Sequence, residues 1–182
     1  KYIAGKMVVV RSLVRNLDLI VCEPSSQPLK DIDRHITFAA MTPMQVYTTL
    51  QDDTQRQRLM NIRELIIGGG AIDENLASAL SCFPNRVWST YGMTETLSHI
   101  AMRRINGNEA SAWYKPFDSV DISLSDVNTL CIHAPLVCDS ILVTNDIAQI
   151  NDKGEFRIIG RRDNVINSGG IKIQIEEVEE LL

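Results

Sequence analysis

Glu64-Leu65-Ile66-Ile67-Gly68-Gly69-Gly70-Ala71-Ile72-Asp73 runs from a short apolar segment through three glycines to an acid. Glu64 to Ile67 reads as a short strand, and the three glycines stop it. Asp73 suits the N-cap of a helix that carries Leu76, Leu80 and Cys82. Residues 86–90 (Arg-Val-Trp-Ser-Thr) then return as a strand. Strand, helix and strand in that order argue for a largely parallel sheet covered by helices.

Working towards the N-terminus, Ile3, Met7, Val10 and Val14 repeat at three-to-four spacing, which predicts a helix over 3–15. Residues 17–22 (Leu-Asp-Leu-Ile-Val-Cys) read as a short buried strand closed by Glu23-Pro24-Ser25-Ser26. Residues 36–41 read as another strand. Thr42-Pro43 is a sound helix start, with a helix to about Leu50 and a further one to about Met60.

Towards the C-terminus the rhythm changes after about residue 97. Segments 98–104, 119–124, 128–133, 140–144 and 147–151 are short and alternating or β-branched, which predicts a small antiparallel β lobe. Asn151-Asp152-Lys153-Gly154 signals a hairpin, with 155–159 as the return strand. Residues 163–170 read as a polar connector ending in glycine, 171–175 as a strand, and the Glu-rich end as a helix. The fold class is therefore α/β: a mostly parallel sheet covered by helices, a small antiparallel β lobe, and the start of a small C-terminal α+β domain. The corresponding division is 1–162 (α/β layer to about 97, β lobe 98–162) and 163–182.

Composition narrows the class. About 45% hydrophobic and 23% charged residues over 182 is ordinary for a globular protein. A net charge of −5 opposes a nucleic-acid surface, and the basic pairs Arg103-Arg104 and Arg161-Arg162 are too short to make one. Cys22, Cys82, Cys131 and Cys138 match no zinc spacing and form no CxxC. They read as reduced, mostly buried thiols in a cytoplasmic protein. No apolar run approaches the roughly 18 residues of a membrane span. The absence of an initiator Met and the helical pattern at the end lead us to expect an internal piece of a longer chain.

Four segments offer chemistry. Gly68-Gly69-Gly70 follows a strand, so it serves either as a close backbone approach to a ligand or as a tight turn. Tyr91-Gly92-Met93-Thr94-Glu95-Thr96 gathers a ring, hydroxyls and a carboxylate suited to phosphate and Mg²⁺, or else caps a helix. At Thr144-Asn145-Asp146, read as a strand end, the carboxylate can accept from two ribose hydroxyls or close an Asx turn. In Gly160-Arg161-Arg162-Asp163 the Arg161 fork suits phosphate or ribose oxygens, or the segment is a solvated charged loop; Ser168-Gly169-Gly170 follows, its glycines admitting a narrow ligand or allowing a sharp turn. His35, His99 and His133 are scattered and read as structural or surface residues.

In this order the four segments resemble the adenylate-forming superfamily of acyl-CoA synthetases, peptide-synthetase adenylation domains and luciferases. Tyr91 to Thr96 resembles its central signature, Thr144-x-Asp146 its ribose motif, and Gly160-Arg161-Arg162-Asp163-Asn164-Val165-Ile166 its hinge. Within the superfamily the chain is most similar to the o-succinylbenzoate–CoA ligases of menaquinone biosynthesis. Residues 2–15, Thr42-Pro43-Met44-Gln45-Val46 and Gly68-Gly69-Gly70-Ala71 carry that closer likeness.

The resemblance implies an acid–thiol ligase that uses ATP, Mg²⁺ and coenzyme A on a small carboxylic acid, releasing pyrophosphate and then AMP. Gly68, Gly69, Gly70 and Ala71 would line the acyl and adenine pocket, with Tyr91 against the adenine beside Gly92. Thr94 would contact the α-phosphate, and Glu95 would hold Mg²⁺. Asp146 would bind the ribose, helped by Arg161. Asp163 would be the hinge, and Ser168, Gly169 and Gly170 would face the pantetheine thiol. The family's upstream phosphate loop and late catalytic lysine are absent from this chain, so the isolated chain is expected to bind nucleotide weakly and not to turn over. Asn145 stands where the family often has Gly, and Asn167 where many members have Lys.

Overall fold

The structure, a computed structural model, describes residues 3–168 and 171–174. The backbone forms two compact units, Lys1–Ala112 and Trp113–Leu182.

In the first unit, helix α1 (Ile3–Arg15) leads to strand β1 (Phe38–Met41), α2 (Pro43–Leu50), α3 (Asp53–Met60), β2 (Glu64–Ile67), α4 (Glu74–Ser81), β3 (Arg86–Gly92), a 3-10 turn (Thr94–Thr96) and β4 (His99–Arg104). The strands lie in the order β1-β2-β3-β4. β1, β2 and β3 are parallel, with Ala40 beside Ile66 and Ile66 beside Trp88; β4 runs antiparallel to β3. Segment 98–104 thus completes the α/β layer. Leu65, Ile67 and Val87 of the sheet are fully buried with Val46, Leu59 and Leu80 of the helices. Burial at roughly 25 cal/mol per Å² of apolar surface makes this shared face the main stabilising term.

The helix starts follow their sequences. Thr42 Oγ1 accepts from the Gln45 N–H at 3.3 Å while Gln45 Oε1 accepts from the Thr42 N–H at 3.0 Å, a reciprocal cap with Pro43 at the first helical position. Asp52 and Asp73 cap α3 and α4 through Gln55 N–H (2.8 Å) and Leu76 N–H (2.7 Å).

Residues 17–22 do not form a strand. They are irregular and exposed, Val21 being 83% accessible. Among the described residues no strand pairs with this segment, and without a partner the propensity of its apolar composition is not realised. The cysteines also depart from expectation: Cys131 is buried, Cys138 half-buried, and Cys22 and Cys82 are exposed.

The second unit contains the two-residue strand β5 (Lys115–Pro116) and an antiparallel sheet β6-β7-β8-β9, formed by Asp121–Leu124, Thr129–His133, Leu142–Ile150 and Phe156–Arg161. The expected break between 144 and 147 is not there. β8 runs through Asn145-Asp146 because Asp146 pairs with Arg161 of β9 while β7 pairs with Val143 and Ile147 to either side, register shifts at Thr129/Cys131 and Ile147/Ala148 absorbing the irregularity. The 151–154 turn closes as read, with Gly154 at φ 74° and the Asn151 N–H donating to Glu155 O at 2.9 Å. The connector holds more order than its polarity suggests. A 3-10 turn (Arg162–Asn164) leads to β10 (Val165–Ser168), which pairs antiparallel with β11 (Ile171–Gln174). Gly169, Gly170 and the expected final helix lie outside the described residues. Among the described residues no helix is long and apolar enough to cross a membrane.

Candidate functional site

In the first unit the parallel pairing brings two loops to one sheet edge. Ile67 lies beside Ser89, so the glycine loop leaving β2 and the signature leaving β3 emerge as neighbours at the carboxyl ends of their strands. Gly68 packs directly against the Thr90 hydroxyl, which donates to Ile67 O at 3.3 Å. Gly69 has φ 80°, in the region where glycine carries no steric penalty. Gly69, Gly70 and Ala71 are exposed. These glycines make the tight exit, and Gly69 and Gly70 leave backbone accessible.

The signature divides its labour. Tyr91 is half-buried, while Gly92, Thr94 and Glu95 are exposed. Thr96 is 2% accessible. Its Oγ1 accepts from the Met93 N–H at 3.0 Å and lies 2.8 Å from Ser98 O, so this hydroxyl staples the turn from inside. Leu97 closes the turn at φ 59°, where a side chain costs of order 1–3 kcal/mol. Thr94 and Glu95 are thereby held outward on a backbone that Thr96 and Leu97 constrain.

A cluster that sequence reading missed lies just beyond. Arg11 of α1 donates from Nη2 to Ser98 Oγ at 2.8 Å and lies 3.4 Å from His99 Nδ1; Ser98 Oγ is 3.3 Å from the same nitrogen. Arg11 and His99 are 88 positions apart, so no local pattern signals the pairing. Burial, with Arg11 adding to it, holds the His99 pKa below its ordinary 6.5. The unfolded chain then binds the proton more readily than the folded one. Stability from this residue is present above pH 6.5 and is lost as pH falls from there through the lower folded value. The thermal midpoint should drop between pH 7.5 and 5.5 by scanning fluorimetry, and H99Q should flatten that drop; an unchanged slope would contradict the assignment.

In the second unit, Asp146 and Arg161 are directly opposite on β8 and β9. Arg161 Nη1 donates to Asp146 Oδ1 at 3.3 Å, while its Nε and Nη2 reach Asp163 Oδ1 and Oδ2 at 3.1 and 3.0 Å. The Asp146 side chain is 14% accessible. Its backbone N–H donates to Thr144 Oγ1 at 3.1 Å, and Thr144 to Asp146 all lie within β8 rather than at a strand end. Three of the expected site residues thus meet around one guanidinium. Ser168 ends β10, opposite Ile171.

Among the described residues no three His, Cys, Asp or Glu side chains gather to hold a metal. A lone exposed carboxylate at Glu95 is what Mg²⁺ uses when phosphate oxygens and water supply the remaining ligands.

Residues 3–137 match the family model described as AMP-binding enzyme. The chain belongs to the AMP-binding enzyme family. It is 26% identical over 196 residues to the 2-succinylbenzoate–CoA ligase of Salmonella typhimurium and 24% identical over 200 residues to that of Lactococcus lactis. All of this chain is matched in both cases, but only 41% and 44% of those relatives. The acyl-CoA synthetase (AMP-forming)/AMP-acid ligase II-like protein of Dyadobacter fermentans matches with a TM-score of 0.78 and 34% identity, over 99% of this chain and 51% of that one. The Bacillus subtilis o-succinylbenzoate CoA synthetase in complex with its acyl-adenylate OSB-AMP gives a TM-score of 0.78 at 22% identity, which shows the shared fold; the chain spans 43% of it. An AMP-binding enzyme fold thus accounts for the parallel layer with its two exposed loops and for the antiparallel sheet of the second unit.

Proposed function

We propose that this chain is the part of an ATP-dependent carboxylic acid–CoA ligase that holds nucleotide and acid, and that the acid is o-succinylbenzoate. The observation that carries the ligase reading is the shared exit of residues 68–71 and 91–96 at the carboxyl ends of the parallel neighbours β2 and β3, where open α/β sheets bind ligands.

In this reading the backbone of Gly68, Gly69, Gly70 and Ala71 lines the acyl and adenine pocket, and Tyr91 lies on the adenine. The acid's carboxylate attacks the α-phosphorus of ATP, pyrophosphate leaves, and a mixed anhydride with AMP forms. Thr94 donates to the α-phosphate and Glu95 holds Mg²⁺, which offsets the charge that builds on the phosphates. Asp146 accepts from the ribose hydroxyls. The thiol of coenzyme A then displaces AMP, with Asp163 as the pivot between the two steps and Ser168, Gly169 and Gly170 facing the thiol. ATP and coenzyme A as co-substrates suit a cytoplasmic enzyme.

The finer assignment to o-succinylbenzoate is supported by the relatives of that activity and by Arg11. This acid carries two carboxylates, of which only one is activated. The half-buried Arg11 guanidinium, with Ser98 and His99 beside it, provides a cation for the other just beyond the signature turn. A second reading, another acyl- or aryl-CoA ligase, is favoured by the 34% identity to the Dyadobacter protein.

Acid-dependent pyrophosphate release by the whole protein containing this chain tests both levels. Turnover with o-succinylbenzoate far above benzoate- and coumarate-type acids supports the finer reading; preference for a monocarboxylic acid supports the second. E95Q should lower the rate about 100-fold with little change in thermal midpoint, because Glu95 is exposed. Full activity in E95Q would remove Glu95 from the metal site.

A further inference from the structure

Arg161 is shared unequally between two carboxylates. Asp163 takes both edges of the fork, at 3.1 Å from Nε and 3.0 Å from Nη2, while Asp146 receives Nη1 alone at 3.3 Å. The parallel, two-bond arrangement is the stronger mode for guanidinium and carboxylate. Asp163 sits in the 3-10 turn Arg162–Asn164, two residues along from Arg161, so the turn itself brings its carboxylate to the guanidinium. Arg161's hydrogen bonds hold the Asp163 carboxyl below the ordinary carboxylate range, which keeps it charged near neutral pH.

We propose that Asp163 is a positioning residue for nucleotide recognition: by occupying the Arg161 fork it prevents the guanidinium from turning fully onto Asp146, and so preserves Asp146 as an acceptor for ribose hydroxyls. One guanidinium faces two carboxylates, of which Asp146 is the more enclosed (14% accessible against 51% for Asp163). A charge pair is stronger where water is partly excluded. If the Asp163 charge is removed, the fork has a single anionic partner left between these two residues, and the favourable geometry there is two bonds to Asp146. Those bonds would form at the expense of the ribose hydroxyls. This inference rests on the proposed role of Asp146 in holding ribose.

The test is a set of NMR titrations of the whole protein containing this chain with AMP and with 2′-deoxy-AMP, for wild type, D163N, D163E and D146N. Wild type should prefer AMP, and D146N should erase that preference. D163N should reduce the preference about fivefold, the size of one net hydrogen bond, mainly through weaker AMP binding. D163E, which restores a carboxylate, should recover most of it. A D163N protein with the wild-type preference overturns the proposal. So does equal weakening of both nucleotides, which marks a merely structural turn, and so does a D163E variant as impaired as D163N. If wild type does not bind AMP, or does not prefer it, the ribose role of Asp146 falls and this inference with it. If D146N loses the preference while D163N keeps it, only the inference about Asp163 falls.

Discussion

Alanine at Gly92 should destabilise the first unit by about 3 kcal/mol or more and abolish nucleotide binding with it. Gly92 ends β3 opposite His99, at a register shift between Tyr91 and Gly92. A Cβ at this position would stand 2.5 Å from His99 Cα and 2.9 Å from His99 N, with the Ser98 carbonyl oxygen also in the way. All three atoms are backbone, so no rotamer change relieves the overlap; β4 would have to move away from β3. That movement would displace Ser98 and His99, and with them the seat of Arg11 and the Ser98 carbonyl that contacts Thr96. Gly70→Ala is the matched control. Its Cβ would lie 3.4 Å from Pro43 Cγ, a tight but side-chain contact, so a cost below about 1 kcal/mol is expected. Urea unfolding of the two variants decides the matter. A Gly92→Ala protein as stable as Gly70→Ala would mean that β3 and β4 do not approach as described.

Asn106→Leu should cost about 3–5 kcal/mol, although Asn106 touches no expected ligand. The side chain is 1% accessible and fully engaged. Its Oδ1 accepts from the Val87 N–H at 3.1 Å and from Arg104 Nε at 3.0 Å, and its Nδ2 donates to Phe83 O at 2.9 Å and Asn85 O at 2.8 Å. Asn85 continues the bridge, donating from Nδ2 to Leu59 O at 3.1 Å and Ile62 O at 2.7 Å. Two asparagines thus close backbone groups from α3 and the residues just after it, the loop after α4 and β3, and hold the Arg104 side chain of β4. Leucine keeps the approximate volume and removes every bond. Each buried group left without a partner costs roughly 1–3 kcal/mol, less than additively because the neighbours relax together. Asn106→Asp keeps the two accepting contacts and should lose less. Denaturant unfolding that finds Asn106→Leu within about 1 kcal/mol of wild type would show that the network contributes little.

Both predictions concern residues whose importance a linear reading does not display. Gly92 stood in a recognisable signature, yet nothing near it in the sequence says that β4 backbone approaches it so closely. Asn106 stands unmarked in the sequence, because nothing within a few positions says which asparagine will close backbone groups some twenty residues away. The elements that were legible owe it to short-range chemistry. Thr42-Pro43 and Asp73 capped the helices expected of them, since a cap involves residues three apart. The 151–154 hairpin formed where its turn residues placed it. The misreadings also share a cause. Residues 17–22 have the composition of a strand without a pairing neighbour. Asn145-Asp146 looks like a break yet is held inside β8 by strands on either side, and Val165–Ser168 reads as polar connector yet finds a partner in Ile171–Gln174. Strand formation depends on a partner elsewhere in the chain, which composition does not record.

By itself the amino-acid order determined the alternation of helix and strand, the caps, the glycine exit after β2 and the six-residue signature after β3, and through these the family. Each is set by the chemistry of a few adjacent residues: a side-chain oxygen within reach of a free N–H, a missing Cβ, a missing amide proton. Long-range packing turns Thr96 inward while Thr94 and Glu95 remain exposed. It alone set Arg11 beside Ser98 and His99, and one guanidinium between Asp146 and Asp163. The reason is that a polar group's role depends on which distant backbone and side chains exclude water around it, and that exclusion exists only once the sheets have paired.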